Sequence, residues 1–434
     1  MSLAPLRKRR KEARMDATTP DARMAPHVAV AGPHAGIGFR EFVAMVAAMM
    51  AMNALAIDTM LPALPQIGGS LGVTDENQRQ WIVTAYLLGF GGANIFYGPI
   101  SDRFGRRPIL LGGMAFYALF SFGTSIAPTF ESLLICRVLQ GVAVAATRTV
   151  TVSVVRDCYG GRQMARVMSL AMMVFMIVPV MAPSIGQLLM LFMPWRGLFA
   201  ALCLYGVVVV AWAALRLPET LHPEYRRPIA VATIAAGVRR ALTERQAAGY
   251  MLTQAVLTGS LFGFINSIEQ IFADAFHAPK LMPAVFASIA SMMAFASLIN
   301  SRIVERLGTR RVSHSALLGL IAIELVHLAI AMSGHETIRT FALCQAGAMF
   351  CFGLSMGNFG AMAMEPLADV AGTAASLQGF VVTAGGALVG FWIGQHFDGT
   401  TVPMTLGFAL AGVAALGIVL VTEGGRLFRP RMGT

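Results

Sequence analysis

The sequence predicts an all-α membrane protein: twelve transmembrane helices in two six-helix bundles, with both termini cytoplasmic. Three observations lead there. Hydrophobic residues make up 56% of the 434 positions and charged residues only 13%, whereas a soluble domain carries about 25% charged residues. Stretches 80–101, 108–130, 167–195, 246–268, 340–364 and 399–422 contain no Asp, Glu, Lys or Arg, and a helix needs roughly 20 apolar residues to cross a bilayer. Finally, a short polar stretch recurs. Gly98-Pro99-Ile100-Ser101-Asp102-Arg103-Phe104-Gly105-Arg106-Arg107 has a degenerate copy from Ser301 to Arg311, where Glu305, Arg306 and Gly308 stand for Asp102, Arg103 and Gly105. A period of about 200 residues means two similar halves in the same orientation.

Taken in order, residues 1–38 are polar and carry Arg7, Lys8, Arg9, Arg10, Lys11 and Arg14. They read as a disordered basic arm: an orientation signal, or an over-extended start with Met15 or Met24 as the true one. No short apolar core with a small-residue cleavage site follows, so no cleaved signal peptide is expected. Helices are expected near 40–66, 79–101, 108–128, 131–156, 165–191 and 195–216, then near 246–272, 281–302, 311–333, 339–364, 370–396 and 402–423. The first bundle then covers 39–216 and the second 246–425. Between them 217–245, with Pro218, Pro223 and Pro228, reads as a cytoplasmic loop, and 426–434 as a cytoplasmic tail. Gly105 lets the backbone turn in the repeated loop, and Pro108 suits the first turn of the next helix.

Orientation follows from Lys and Arg, which are retained on the cytoplasmic side. Arg79, Arg196, Lys280 and Arg339 fall in outer loops, Arg137 and Arg148 lie within the fourth helix, and the others cluster at the termini and inner loops. The inner loop 365–369 dissents by being acidic. Further repeat matches pair Gln140 with Gln345, Ser169-Leu170 with Ser376-Leu377, and Gly186-Gln187 with Gly394-Gln395, which sets Arg137 opposite Ala342.

Several classes drop out. The net charge of +11 sits at helix ends, not on one soluble face, so nucleic acid is not an expected partner. Four of the five cysteines (Cys136, Cys203, Cys344 and Cys351) lie in apolar runs and Cys158 in a basic loop, which makes neither a disulfide framework nor a zinc site. There is no HExxH, nucleotide-binding loop, acidic metal cluster or sizeable soluble domain. No enzyme, metal or cofactor is expected.

The motifs resemble those of the major facilitator superfamily. Gly98, Asp102, Arg103, Gly105, Arg106 and Arg107 match its G-x-x-x-D-R-x-G-R-R loop signature, and Arg137-Val138-Leu139-Gln140-Gly141 resembles its R-x-x-Q-G signature. Asp58-Thr59-Met60-Leu61-Pro62-Ala63-Leu64-Pro65 resembles the first-helix signature of 12-helix drug:proton antiporters, nearest the Bcr/CflA type. Ala182-Pro183-Ser184-Ile185-Gly186-Gln187 resembles the antiporter signature G-P-x-x-G-G, with Ala182 and Gln187 where glycines are usual. The resemblance covers about residues 40–425. It implies alternating access, two bundles rocking about a central site.

Asp58 is the first candidate for proton coupling. A carboxylate at membrane depth costs about 2.5–3.5 kcal/mol on insertion scales, so it needs a partner, a proton or a water-filled cavity. Pro62 and Pro65 allow the helix to kink after it. Arg137 lies at comparable depth and is expected to pair with Asp58; the plainer alternatives are a structural acid and an arginine that only ties helices together. Arg148 either faces the inner cavity or snorkels. Asn53, Tyr86, Phe90, Gln140, Glu269 and Gln378 are candidate cavity residues. Glu269 binds a cationic substrate group or is a solvated helix-end acid. Glu324 and His327 read as a structural pair.

By resemblance, Gly98, Asp102, Arg103, Gly105, Arg106 and Arg107, with Glu305 and Arg306, form a conformational latch. Arg156, Asp157, Arg162 and Arg166 are expected to pair across the bundles. Pro179, Pro183 and Gly186, mirrored by Gly385 and Gly386, mark gating helices whose small residues let the bundles slide. The expected function is export of amphipathic small molecules, cations included, in exchange for protons across a bacterial inner membrane. The energy source is the proton gradient and the protein acts as a monomer. A metabolite transporter of the same superfamily is the second reading.

Overall fold

The structure, a computed structural model, describes residues 37–226, 229 and 231–428. The expected basic arm through residue 36 and the tail from residue 429 lie outside the described residues. Regular structure among the described residues is entirely helical. Twelve long segments follow one another: α1 (Phe39–Asp58, resuming as Leu64–Ser70), α2 (Trp81–Phe104), α3 (Arg106–Ser125), α4 (Phe130–Cys158), α5 (Gly161–Met190), α6 (Trp195–Arg216), α7 (Arg245–Gln270), α8 (Met282–Leu307), α9 (Thr309–Met332), α10 (Ile338–Met364), α11 (Ala371–Phe380 and Gly386–Gln395) and α12 (Val402–Glu423). Among the described residues ten helical runs are long and apolar enough to cross a membrane. One of these, Ile338–Gln395, kinks at Leu367 (φ −117°, ψ 25°). It doubles back so that Gln378 reaches Gly360. It therefore supplies two passes, and α2 completes the twelve.

Local chemistry places the ends and breaks. The predicted continuous first helix is interrupted: Pro62 and Pro65 remove backbone donors, and the chain tightens through Leu61–Ala63 before the helix resumes. Gly105 (φ 103°) and Gly308 (φ 82°) take the left-handed turn in the two repeated loops, a conformation that glycine adopts without strain. Both α4 and α10 open on a capping box, Thr129 with Ser132 and Thr337 with Ser132's counterpart Thr340. These caps correct the repeat register. Arg137 and Gln345 lie at the same distance beyond their caps, so Gln345 corresponds to Arg137 and not to Gln140. Pairing Gln140 with Gln345 is therefore out of register by nearly a helical turn.

The expected interdomain loop contains an amphipathic helix, Val231–Thr243, with Gly237 and Ala241 buried. Its Arg240 pairs with Asp369 at 3.3 Å, while Glu365 lies 3.8 Å from Arg310 and accepts from Gln246 Nε2 at 2.9 Å. The acidic loop that dissented from the basic pattern therefore answers neighbouring arginines. Within the first half α2 and α3 pack on α4, α3 on α6, and α1 on α5. The second half repeats this with α8 and α9 on α10, α9 on α12, and α7 on α11. The halves meet along α2–α11 and α5–α8. At the first seam a Cβ on Gly91 would stand 2.6 Å from the Ala384 nitrogen, so glycine sets the approach.

Candidate transport site

Asp58 ends the first segment of α1, where the chain breaks. It is 4% exposed, and its Oδ1 has no hydrogen-bond partner. The next residue, Thr59, is pressed by α5: a Cβ on Gly186 would stand 1.9 Å from the Thr59 carbonyl oxygen. Gly186 thus lets α5 pack directly against the break that follows the carboxylate. A buried carboxylate without partners is disfavoured as an anion and readily held as the neutral acid.

Arg137 does not pair with Asp58, contrary to the expectation. Its three nitrogens are used elsewhere: Nε donates to the Ile82 carbonyl at 3.0 Å, Nη2 to the Ala56 carbonyl at 3.1 Å, and Nη1 to Gln140 Oε1 at 2.6 Å. Its guanidinium carbon sits 4.4 Å from the Tyr86 ring centroid and 5.8 Å from that of Phe199, and the residue is fully buried. Tyr86 donates to Asn53 Oδ1 at 2.9 Å, and Gln140 to Ser121 Oγ at 2.6 Å. The arginine clamps α1, α2 and α4 through the backbone. Through Ala56 it also holds the turn that carries Asp58. Gln140 is correspondingly a core residue facing α3, not a cavity residue.

Away from the basic loops, carboxamides close the gap between the halves. Gln80 Nε2 donates to Gln270 Oε1 at 2.6 Å and to the Gly394 carbonyl at 2.9 Å. Gln270 reaches Asn77 Oδ1 at 2.8 Å, and Gln395 reaches the Asn77 carbonyl at 2.7 Å. Trp81 lies against Phe391 with ring centroids 4.1 Å apart. The sequence reading missed these amides because polar residues near helix ends look solvated; their signal was being uncharged within or beside apolar runs. Glu269 borders this closure at 5% exposure with Oε2 unpartnered, so it is not a solvated helix-end acid. Asn53, Tyr86 and Phe90 are buried as well. Gln378, on α11, donates to Gln254 Oε1 at 2.6 Å.

Comparison with known proteins gives the fold a place. The family model described as Major Facilitator Superfamily matches residues 46–391. The chain belongs to the major facilitator superfamily. Among curated relatives of this superfamily member, an uncharacterized MFS-type transporter, YdgK of Bacillus subtilis (strain 168), is 28% identical over 88% of this chain and 96% of its own. A bicyclomycin resistance protein homolog of Haemophilus influenzae is 29% identical over 84% of this chain and 91% of its own. Multidrug resistance protein MdtL of Escherichia coli (strain K12) is 28% identical over 80% and 85%. Among solved structures, the xylose transporter XylE from E. coli aligns with a TM-score of 0.67 at 12% identity, covering 91% of this chain and 99% of that one. The protein is thus a multi-pass membrane transporter of small molecules and not an enzyme.

The superfamily's loop signature is engaged within its own half. Arg106 pairs with Asp102 at 2.5 Å and with Asp157 at 3.1 Å, and donates to Ser101 Oγ at 2.7 Å. Arg107 donates to the Ala214 carbonyl on α6 at 2.7 Å, while Arg103 lies over Phe104 at 5.3 Å. Glu219 of the interdomain segment accepts from the Arg106 and Arg107 amides at 2.9 and 3.3 Å, capping α3. A Cβ on Gly105 would collide with that carboxylate. Asp157 therefore serves an ion pair inside the first half rather than one across the halves, and Arg166 lies over Phe39 of the same half. In the second loop Glu305 and Arg306 are exposed; the ion pair there is made by Arg310, 2.9 Å from Glu423.

Gly186, Gly385 and Gly386 also pack inside their own halves, the latter two against Ala255 and Thr258 of α7. Small residues at the seam include Gly91, Gly98, Gly379 and Gly394, facing Ala384, Ser376, Asn94 and Gln80. Pro179 and Pro183 lie inside α5. Glu324 and His327 are fully buried 3.4 Å apart, and His327 Nε2 contacts Glu336 Oε1 at 2.7 Å.

Proposed function

We propose that this transporter exports amphipathic small molecules in exchange for protons, by alternating access, as a monomer in a bacterial inner membrane with its basic loops and both termini in the cytoplasm. The observation that carries this reading is Asp58: a buried carboxylate at the break of α1 with no ion-pair partner among the described residues, where a proton is the simplest companion. When the closure opens and water enters, the same group ionises and releases its proton, so loading is tied to which side is open. The driving force is about 2.3 kcal/mol per charge per 100 mV plus about 1.4 kcal/mol per pH unit. The names of the relatives, which speak of multidrug and bicyclomycin resistance, support export over uptake.

The test uses everted membrane vesicles energised acid inside, with the pH gradient followed as drugs are added. Drugs are expected to dissipate the gradient with wild type and not with Asp58→Asn, whose folded yield stays unchanged because no ion pair is lost. A response that survives in the variant moves the proton to Glu269. A folded wild type that no drug in a broad panel makes respond is instead a metabolite transporter.

A further inference from the structure

Arg148 lies well inside α4, deep in the protein, yet its side chain remains exposed. Its guanidinium carbon sits 5.8 Å from the ring centroid of Phe90 on α2. Among the described residues no carboxylate pairs with it, in contrast to Arg106 and Arg310. Beside it, Thr149 Oγ1 donates to Asn94 Oδ1 at 3.4 Å. Asn94 is 4% exposed and its Nδ2 has no acceptor; the residue faces Gly379 of α11 across the seam. Phe90 and Asn94 lie one helical turn apart on α2, so the guanidinium over Phe90 and the Asn94 carboxamide sit along the same stretch of that helix, and among the described residues neither the guanidinium nor the Asn94 Nδ2 has an acceptor.

We infer that Arg148 and Asn94 form a binding site for the anionic group of the transported molecule, so that the preferred substrates are amphipathic acids: an apolar or aromatic body bearing a carboxylate or sulfonate. An unpaired guanidinium at this depth is disfavoured, and its planar fork fits two acceptor oxygens. Phe90, itself buried, backs the guanidinium with its aromatic face. A cationic amphiphile meets like charge here and is selected against. The acids Asp58 and Glu269 lie toward the other end of the span, so anion and proton occupy separate places. This inference rests on the transporter reading and sharpens its substrate class.

The test is equilibrium binding to the purified full-length protein in lipid nanodiscs, with 2-naphthoate, its methyl ester and 2-naphthylmethylammonium. Wild type is expected to bind naphthoate about tenfold or more tighter than the ester, the range of a charged hydrogen bond, and to bind the ammonium weakest. Arg148→Gln abolishes the preference and leaves the ester unchanged, while Arg148→Lys, which keeps the charge, retains part of it and controls for folding. Tightest binding of the ammonium, equal binding of acid and ester by wild type, or a preference that survives Arg148→Gln overturns the site. The measurement needs no proton gradient. Naphthoate that binds through Arg148 but moves no protons leaves the site standing and sinks antiport instead.

Discussion

The fourth and tenth helices begin alike and diverge at the same step. Each opens on a threonine capping box, and at equal distance beyond it α4 carries Arg137 while α10 carries Gln345. Arg137 is held by two carbonyls, a carboxamide and an aromatic face. Gln345 is as deeply buried, and neither its Nε2 nor its Oε1 has a partner. The repeat thus supplies scaffold (caps, glycine turns, an ion pair at each basic end), while the arginines set deep within a helix, Arg137 and Arg148, lie in the first half. Asp58, Arg137 and Arg148 belong to the first half. Apart from Glu269 near the amide closure and the Glu324–His327–Glu336 cluster, the second half presents carboxamides such as Gln254, Gln378, Asn300 and Asn358.

The largest effect that would break this contrast comes from making α4 resemble α10. Arg137→Gln strips donors from Ile82, Ala56 and Gln140; thermal denaturation should show a loss of about 3–5 kcal/mol, as for a broken buried charge network. Arg137→Lys should rescue little, because an ammonium lacks the fork that reaches three acceptors. An unchanged melting temperature in both variants would show that the clamp is dispensable.

A smaller loss is expected from Gly186→Ala, which forces α5 off the Thr59 carbonyl: about 1–3 kcal/mol for an overpacked core. That variant should also make the α1 break more accessible, read as faster labelling of a cysteine placed at Thr59. A change on the corresponding helix of the second half, Gly386→Ala, meets Thr258 and the Gly259 amide at 3.0–3.3 Å and should be milder. The smallest effect has the opposite sign. Gln345→Leu removes an unsatisfied buried amide and should raise stability by about 1 kcal/mol. A loss there would reveal a partner, such as water, that Gln345 needs.

Most of the fold was legible because charge-free runs and glycine turns are one-dimensional signals. The charge-free run 340–364 announced its helix, and the basic loop announced its repeat, whereas the Thr129 and Thr337 caps emerged only in the structure. Asp58 was legible as a costly residue. Its isolation was not, because whether Arg137 reaches a carboxylate or the carbonyls of Ile82 and Ala56 depends on helix rotation, which sequence spacing across three helices does not fix. Gly186 read as a gating residue for the same reason: a glycine signals close approach but not to what. The Val231–Thr243 helix was hidden by the neighbouring prolines, although its small buried residues Gly237 and Ala241 lie four apart, a spacing that marks a helix face.

The interdomain segment is fastened at both ends. Glu219 caps α3 of the first half, and Arg240 and Gly237 grip the start of α11 in the second. The stretch from Glu219 to Val231, even drawn straight, reaches only about 40 Å. In the alternating access proposed above it is a leash between the halves on the side of the basic loops, and a longer one would let those loops part further while leaving both bundles intact.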